Sequence, residues 1–520
     1  MNSQGMGQMT AESAQAQKGT MQKILDVVER VGNKVPHPVE IFLILIAVVI
    51  VLSHVFYVMG VAITYQVINP ETHKLDTVTT AARSLLTADG IRFMFTGVVS
   101  NFMSFQAVGV IIVAMVGVGV AEASGLVKAL IRKLVIISPP WALAWILVFV
   151  GIISSIAADA GYLVLIPLAG AAFISVGRHP LAGLALAFAS VASVFLVNIL
   201  IVPVDGILVG ITNDAIQLLD PNKSIDLASN LWFSAASVIV MMVVVVFVNN
   251  RIVEPRLGRY TGDYVVEGEN VLSADEYRGL LFAFIGLLLA LAFVALLTLP
   301  AGAPLRDPAT GAIIGNSPFM NSLIVTIALV FLSAGIGYGI GAKTMKSGND
   351  VINAVQKSIA SLSGLIFLLL IISQFLAYFN YTNMAPLAAI SLANFLQQAN
   401  LDAIWLMIGF VIVVMILDLI ITGAIPKWAI FAPIFVPLLM KLGVPPDAVL
   451  AAYRVGDSPM NSITPLNAYF AMIVVFCQKY VKEAGVGTVI ALMLPYVIAI
   501  AVVWLALLIV WHLLGLPWGI

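Results

Sequence analysis

The sequence predicts an all-α integral membrane protein made of two inverted halves, each containing a re-entrant helical hairpin. Of its residues, 61% are hydrophobic and only 10% are charged, whereas about 25% are charged in soluble domains. Apolar runs long enough to cross a hydrocarbon core of about 30 Å recur along the chain, for example at residues 41–59, 231–248, 280–297 and 489–511. Two regions also share a pattern of proline and glycine, as inverted repeats do.

Several functional classes are excluded by the composition and by the motifs. A formal net charge of −1 without a basic cluster gives no reason to expect nucleic-acid binding. The single cysteine, Cys477, excludes a disulfide framework and a cysteine-rich metal site. The five histidines show no metal-ligand spacing, and we find no nucleophile elbow, Walker loop or zincin motif. We therefore expect neither an enzyme nor an ATP-driven pump, and no cofactor beyond a possible sodium ion.

The segments follow one another in a definite order. Residues 1–37 predict a cytoplasmic amphipathic segment without a signal peptide. Residues 38–250 form the first transmembrane half with a hairpin near 139–176, residues 251–278 a cytoplasmic linker, and residues 279–520 the second half with a hairpin near 402–442.

Basic residues predict the orientation of the chain. Short basic segments stay in the cytoplasm, and they lie at residues 18–34, 128–133, 251–259 and 343–357. Segments 64–91 and 300–318 carry few basic residues and are interpreted as outer loops. The amino terminus is therefore expected in the cytoplasm, the carboxyl terminus in the periplasm, and the number of full crossings is expected to be odd.

The two halves align as a repeat. Pro167, Gly177 and Pro180 fall on Pro433, Gly443 and Pro446 at a constant offset of 266 residues. A gap of four residues then places Pro203 on Pro465 and Asp205 on Asn467. Chance matching in a glycine-rich and alanine-rich chain is the alternative explanation. Helices broken at corresponding places in two halves surround the central site of many transporters, so we expect function there.

The predicted hairpin tips carry the first candidate residues. Asp159, between two short apolar segments, is interpreted either as an ion ligand or as a helix cap. In the second half Asp418 precedes Gly423 and Pro426, which permit a tight reversal. Trp428 offers a flat ring and an N–H donor to an aromatic solute, or is an interfacial anchor. For Lys427 the simple interpretation is snorkelling.

The strongest candidate is a polar island between apolar helices at residues 453–467. The Arg454 guanidinium suits a carboxylate, while Asp457 and Asn461, with Ser462 and Thr464, offer oxygen ligands for sodium or a proton acceptor. Because Arg454 and Asp457 lie one helical turn apart, a structural ion pair between them is the alternative. In the first half Asp205 occupies the corresponding break, as a second buried charge or as a helix cap.

The glycine run at residues 335–341 is only superficially like a phosphate-binding loop. It ends an apolar span and follows no strand, so close helix packing is the favoured interpretation.

Several short segments have a distinctive order of residues, namely 119–126 (GVAEASGL), 159–162 (DAGY), 428–437 (WAIFAPIFVP), 452–458 (AYRVGDS), 485–488 (GVGT) and 493–496 (MLPY). In these segments the chain resembles the p-aminobenzoyl-glutamate transporter (AbgT) family, and the resemblance runs nearly end to end. It implies a bacterial inner-membrane homodimer with nine spans and two re-entrant hairpins per protomer. It also implies transport of p-aminobenzoyl-glutamate or related aryl acids, some members being described as exporters of sulfonamide antimetabolites. The family's functional residues would fall on Asp205, Trp428, Arg454, Asp457 and Pro465.

The chain departs from the family pattern at the hairpin tips. A serine-rich approach to the tryptophan is replaced by residues 423–426 (GAIP), and a family asparagine is replaced by Asp418. This change adds a titratable group to the second hairpin.

These observations together predict a secondary active transporter that moves an organic anion across the bilayer. We expect the substrate to be bound by Trp428, Arg454, Asp457, Pro465, Asp205 and Asn467. The ion-coupling candidates are Asp457, Asp205, Asp159, Asp418 and Asn461, with sodium or a proton as the ion. A dicarboxylate or other anion symporter of similar architecture is the nearest alternative. A passive channel and an intramembrane enzyme are more distant ones.

Overall fold

The computed structural model describes residues 38–68, 75–156, 161–262, 272–314, 317–384, 387, 402–419, 423–464, 466–467 and 469–520. The predicted amphipathic segment 1–37 and the predicted ligand Asp159 lie outside these ranges, as does Pro465. The described chain is mainly helical, with one exception that the prediction of an all-α protein missed. Strands β1 (Ala62–Ile68) and β2 (Leu75–Ala81) form an antiparallel hairpin in the segment predicted as an outer loop. Its threonine, valine and isoleucine residues favour extended backbone.

In the first half the helices are α1 Pro38–Val58, α2 Ala88–Thr96, α3 Val98–Ser104, α4 Gln106–Ser124, α5 Leu126–Ile136, α6 Leu143–Ile153, α7 Ile166–Ser175, α8 Pro180–Phe188, α9 Pro203–Gln217, α10 Leu231–Val248 and α11 Glu254–Leu257. Short π-helices at Gly161–Leu165, Ala189–Ser193 and Asn249–Val253 adjoin them. The predicted linker 251–278 therefore overlaps a helix end at its start.

In the second half the helices are α12 Ala274–Thr298, α13 Pro318–Asn321, α14 Leu323–Gly341, α15 Gly348–Ser361, α16 Ser363–Tyr381, α17 Ala403–Asp418, α18 Ala424–Lys441, α19 Pro446–Asp457, α20 Phe470–Gln478 and α21 Val486–Leu513. Helix α12 begins inside the predicted linker because Ser273 caps it, accepting a hydrogen bond from the Glu276 N–H.

Within the described ranges, 7 helices are long and apolar enough to cross a membrane. They are α1, α10 continued to Leu257, α12, α14, α16, α18 and α21. The bent pair Val98–Ser104 and Val108–Ser124 makes up to 8. Large apolar side chains such as Leu281 and Leu289 on α12 are exposed, as expected of a surface that faces lipid. The chain is thus a multi-pass membrane protein, while the count of nine spans stays a prediction.

Helices α4, α12 and α14 pack closely through glycines. A Cβ at Gly337 would lie 2.4 Å from the Phe282 carbonyl oxygen, and one at Gly335 would lie 2.7 Å from the Ala121 nitrogen. Because only glycine allows such an approach, the interpretation of run 335–341 as a packing motif is confirmed.

The predicted hairpins correspond to two pairs of helices. Helix α6 has 11 residues, about 16 Å at 1.5 Å per residue, and is too short to cross the bilayer. It is followed by α7 across residues 157–160, which lie outside the described ranges. Helices α17 and α18 flank residues 420–422 in the same way. The re-entrant path of both pairs stays a prediction, since each tip lies outside the described residues.

Candidate functional site

Two interruptions in the helices lie against each other at the centre of the molecule. The first break is residues 194–202, between the π-helix at Ala189–Ser193 and α9. The second lies between α19 and α20, where the described residues are 458–464, 466–467 and 469 and include a short 3₁₀-helix at Pro459–Ser462. The Ser193 hydroxyl donates to the Ser462 hydroxyl at 2.6 Å. The Leu196 N–H donates to the Ser458 hydroxyl at 3.2 Å. Both halves of the predicted repeat therefore contribute to one buried polar site.

Arg454 ties the second half to the first. Its Nη1 lies 2.5 Å from Asp205 Oδ1 and donates to the Leu196 carbonyl at 2.8 Å. Its Nε donates to Asn230 Oδ1 at 3.1 Å. The side chain is 3% exposed. The alternative of an ion pair with Asp457 is wrong for this conformation, because Arg454 points across the site towards α9 instead of along its own helix.

Asp205 combines the two roles that the sequence left open. Its Oδ1 accepts from Arg454, and its Oδ2 accepts from the Val202 N–H at 2.8 Å. The carboxylate therefore caps the first turn of α9, where backbone N–H groups lack helical partners and negative charge is favoured. If Asp205 moved away from Arg454, its carboxylate would still accept the hydrogen bond from the Val202 N–H at the start of its own helix.

A second buried charge cluster surrounds Lys427. The Lys427 Nζ lies 2.8 Å from Asp457 Oδ1 and forms an ion pair with Asp418 Oδ1. All three side chains are fully buried. The Tyr453 hydroxyl donates to Asp457 Oδ1 at 2.7 Å and also contacts the Ala424 carbonyl. The interpretation of Lys427 as a snorkelling residue is therefore wrong, because two carboxylates inside the protein hold its ammonium.

Trp428 lies in the core of the site and not at a membrane interface. Its ring stacks on Tyr453 with centroids 4.5 Å apart, and the side chain is fully buried. The indole N–H donates to the Thr212 hydroxyl at 2.9 Å. Trp428 thus joins α18 to α9, and the interpretation as an interfacial anchor is wrong. Its N–H, expected to be free for a solute, already has a protein acceptor.

The asparagines of the second break bind its own backbone. Asn461 Nδ2 donates to the Asp457 carbonyl at 3.3 Å, and Asn467 Nδ2 donates to the Asn461 carbonyl at 2.9 Å. The Thr464 hydroxyl donates to the Leu419 carbonyl at 3.2 Å. These contacts hold a segment that is not α-helical, and they give partners to backbone groups that would otherwise lack them inside the membrane.

A cavity of about 450 Å³ opens beside the β-hairpin. Its polar lining includes Arg83, Asn101, Asp214, Asn380 and Asn383, with the rings of Phe93 and Tyr381. Sequence reasoning missed this site, because its residues come from α2, α3, α9 and α16 and from the segments next to them, and are isolated in the sequence. The one available signal was Arg83, one of the few basic residues in segment 64–91.

The cavity holds an arginine and a carboxylate that do not pair with each other in the described structure. The Arg83 guanidinium lies 4.2 Å from the centroid of the Tyr381 ring, and this ring stacks on Phe93 at 4.4 Å. Asp214 Oδ2 is buried without a hydrogen-bond partner among the described residues. The cavity therefore presents a cation backed by aromatic rings, together with an unsatisfied acceptor.

No group of three or more histidine, cysteine, aspartate or glutamate side chains that could hold a metal ion occurs in the described part of the chain.

Known proteins resemble this chain along nearly its whole length. The model of the AbgT putative transporter family matches residues 23–520. The p-aminobenzoyl-glutamate transport protein of Escherichia coli K12 is 33% identical over 497 residues, which are 96% of this chain and 96% of that protein.

Two solved structures resemble this one. The YdaH transporter of Alcanivorax borkumensis superposes with a TM-score of 0.86 at 39% identity, covering 93% of this chain and 100% of that one. MtrF of Neisseria gonorrhoeae, described with a class of antimetabolite efflux pumps, superposes with a TM-score of 0.88 at 39% identity, covering 94% and 97%.

Proposed function

The chain belongs to the AbgT putative transporter family, and from this premise we propose that it is a secondary active transporter of p-aminobenzoyl-glutamate or related aryl carboxylates, including sulfonamide antimetabolites. The ion pair between Arg454 and Asp205 is the observation that carries the proposal. It joins the two halves at the point where both have broken helices, and charges are kept at such depth chiefly for function.

The Arg454 guanidinium is the proposed carboxylate-binding group. In this conformation Asp205 occupies it at 2.5 Å, so a solute carboxylate binds by replacing Asp205 at the same planar fork. Because a carboxylate replaces a carboxylate, Arg454 remains paired, while the displaced Asp205 needs another cation or a proton. Solute binding at Arg454 is thereby linked to ion binding at Asp205.

Trp428 is the proposed contact for the aromatic part of the solute. Asn467 and Pro465 are further proposed contacts, of which Pro465 lies outside the described residues. The Trp428 ring is covered by Tyr453 in this conformation. An aryl group therefore reaches it only when α18 separates from α9 or α19. Trp428 has a positioning role as well, because its N–H fixes α18 against Thr212.

The moving unit in this proposal consists of α6–α11 and α17–α21, which contain both predicted hairpins and both breaks. Helices α1–α5 and α12–α16 form the scaffold, with α4, α12 and α14 packed together by glycines. The main contact between the two groups is α9 against α4. Sliding of α9 along α4 would carry Asp205 and its partner Arg454 across the membrane.

The transporter is proposed to be a homodimer in the bacterial inner membrane with its amino terminus in the cytoplasm. In this orientation the β-hairpin and the cavity next to Arg83 face the periplasm. Asp214 lies nine residues after Asp205 on α9, about 14 Å along the helix axis. The cavity thus opens towards the central site from the outer side.

Coupling to a sodium or proton gradient completes the proposal. The candidate groups are Asp457, Asp205, Asp159, Asp418 and Asn461, of which Asp159 lies outside the described residues. Net direction follows from the gradients as much as from the protein, so uptake and export use the same groups.

Counterflow of labelled p-aminobenzoyl-glutamate in proteoliposomes tests the proposed function. We expect Arg454→Ala to reduce counterflow by at least a hundredfold, because the substrate loses its charge-assisted hydrogen bonds. Asp205→Asn is expected to reduce ion-driven accumulation. Arg92→Ala is the matched control, since Arg92 forms an exposed pair with Asp89 away from the site.

Wild-type counterflow in Arg454→Ala would overturn the role of Arg454. Preference for an aliphatic dicarboxylate over every aryl carboxylate would favour the alternative of a dicarboxylate symporter.

A further inference from the structure

The cluster around Lys427 has an unequal number of opposite charges. One ammonium lies between two carboxylates, Asp418 on α17 and Asp457 on α19, and all three side chains are fully buried. With every group ionised the cluster carries a net charge of −1. A net charge inside a protein within a membrane is costly because neither water nor counter-ions can screen it. The cluster therefore favours binding one more positive charge.

Neighbouring groups do not supply that charge. The elements packed against α17 are α18, α19, α21 and the short helix Pro459–Ser462. Among their described titratable residues, Lys427, Tyr453 and Asp457 face Asp418 through the cluster. Arg454 is already paired with Asp205 on the other side of α19. Of the others, the Tyr496 hydroxyl bonds to Asn249 instead, and Asp447 accepts from the Ala448 N–H at the start of α19.

The cluster also has two free acceptor atoms. Asp418 Oδ2 and Asp457 Oδ2 are buried without hydrogen-bond partners among the described residues, whereas each Oδ1 is bound to Lys427. Buried polar atoms nearly always have a partner, so an unpaired one requires an explanation. A proton on either oxygen neutralises the cluster and converts a bare acceptor into a hydroxyl.

The ammonium disfavours a metal ion at the same place. A sodium ion bound to either Oδ2 would lie on a carboxylate whose other oxygen already contacts Lys427, so two cations would face each other a few ångströms apart. It would also need several further oxygen ligands. A proton needs only one oxygen. The arrangement therefore selects a proton over sodium.

We propose that Asp418, Lys427 and Asp457 form a proton-binding site that couples this transporter to a proton gradient. This inference rests on the proposed function and identifies its ion. One proton from water on one side forms an O–H bond with a carboxylate, and the same bond breaks to return the proton to water on the other side. Lys427 keeps its three protons throughout.

Protonation would alter contacts among three helices. Lys427 lies in the first turn of α18, so its two ion pairs hold α18 to α17 and to α19. Protonation of Asp418 or Asp457 neutralises that carboxylate, so that one of the two ion pairs with Lys427 is lost. When Asp457 is the protonated group, the Tyr453 hydroxyl can give its single hydrogen to the Ala424 carbonyl at the start of α18. Proton binding is thereby linked to the position of the second predicted hairpin.

Asp418→Asn tests the proposal, because it leaves one ammonium with one carboxylate and keeps the shape of the side chain. Infrared difference spectroscopy of the purified protein, acidic against neutral pH, should show the C=O band of a buried protonated carboxyl in the wild type. We expect the band to be lost in Asp418→Asn and in Asp457→Asn. Asp402→Asn, at the exposed start of the same helix, should retain it.

The second readout is proton flux per solute, followed with a pH dye in sodium-free proteoliposomes. We expect the number of protons moved per solute molecule to fall at least tenfold in Asp418→Asn, however much solute exchange this variant retains. The ratio should not fall in Asp402→Asn. A wild-type ratio, or a retained carboxyl band in both cluster variants, would overturn the proton site. Absence of any aryl carboxylate exchange by the wild type would instead overturn the proposed function, and the infrared measurement would still decide the proton site.

Discussion

Arg83 and Arg454 are the two arginines that a transported anion would meet in succession. Arg83 lines the open cavity and stacks on Tyr381, while Arg454 is buried and bonded to Asp205. An arginine without a carboxylate partner in the described structure can accept a solute without first losing an ion pair. Arg83 is therefore suited to the capture of a solute, and Arg454 to exchange of its carboxylate partner.

Arg83→Gln should raise the KM for solute added on the side of the β-hairpin by about tenfold, because a charge-assisted hydrogen bond contributes roughly 1.5–3 kcal/mol. The KM from the opposite side should change little. Initial rates in proteoliposomes of each orientation measure this difference, and Arg92→Gln on the neighbouring helix is the control. An equal KM for Arg83→Gln and the control would show that the cavity does not bind the solute.

At the residue scale, the sequence predicts candidate residues but not their partners. The cost of buried charge makes Arg454, Asp457 and Asp205 candidates because each is a charge in a largely apolar part of the chain. The Arg454–Asp205 pair joins residues 249 positions apart, which no local pattern indicates. Lys427 was misinterpreted because its partners, Asp418 and Asp457, lie on two other helices.

At the element scale, glycine determines how closely the scaffold helices approach. Gly337 on α14 faces the backbone of α12, and a Cβ at this position would lie only 2.4 Å from the Phe282 carbonyl oxygen. Gly409 on α17 has nothing within 4 Å of its Cβ position. The two glycines therefore differ in function although both lie inside apolar helices.

Gly337→Ala should destabilise the protein by about 1–3 kcal/mol, because the added methyl group forces two backbones apart. Gly409→Ala should be neutral or stabilising by up to about 1 kcal/mol, because alanine lowers the entropy of the unfolded chain. Thermal unfolding in detergent compares them. Equal stability of the two variants would contradict the close packing of α12 and α14.

Helix positions follow from apolar run length, so most elements could be predicted. The β-hairpin was missed because its strands alternate too briefly between long apolar spans to outweigh them. The start of α12 was placed too late because the capping pair Ser273 and Glu276 lies among acidic residues that suggest a loop. Proline and buried polar residues predicted one break near Pro203 and Asp205 and another within residues 453–467, and the described α-helical segments there begin at Pro203 and end at Asp457. The contact between the two regions follows only from the fold.

At the scale of the whole molecule, the central claim is that α9 moves along α4 while the two breaks stay together. Two engineered disulfide cross-links test these two parts of the claim separately. A Cβ at Gly206 on α9 would lie 3.5 Å from the Val110 Cβ on α4, which is a separation that a disulfide accepts. Ser193 and Ser462, 2.6 Å apart at their hydroxyls, lie within the moving unit. The native Cys477 is buried.

The most direct measurement is therefore counterflow of p-aminobenzoyl-glutamate by V110C/G206C before and after oxidation, with S193C/S462C as the matched control. We predict that oxidation stops counterflow in V110C/G206C, that a reducing agent restores it, and that the oxidised S193C/S462C protein still exchanges solute. Undiminished counterflow by fully cross-linked V110C/G206C would contradict the movement of α9 against α4.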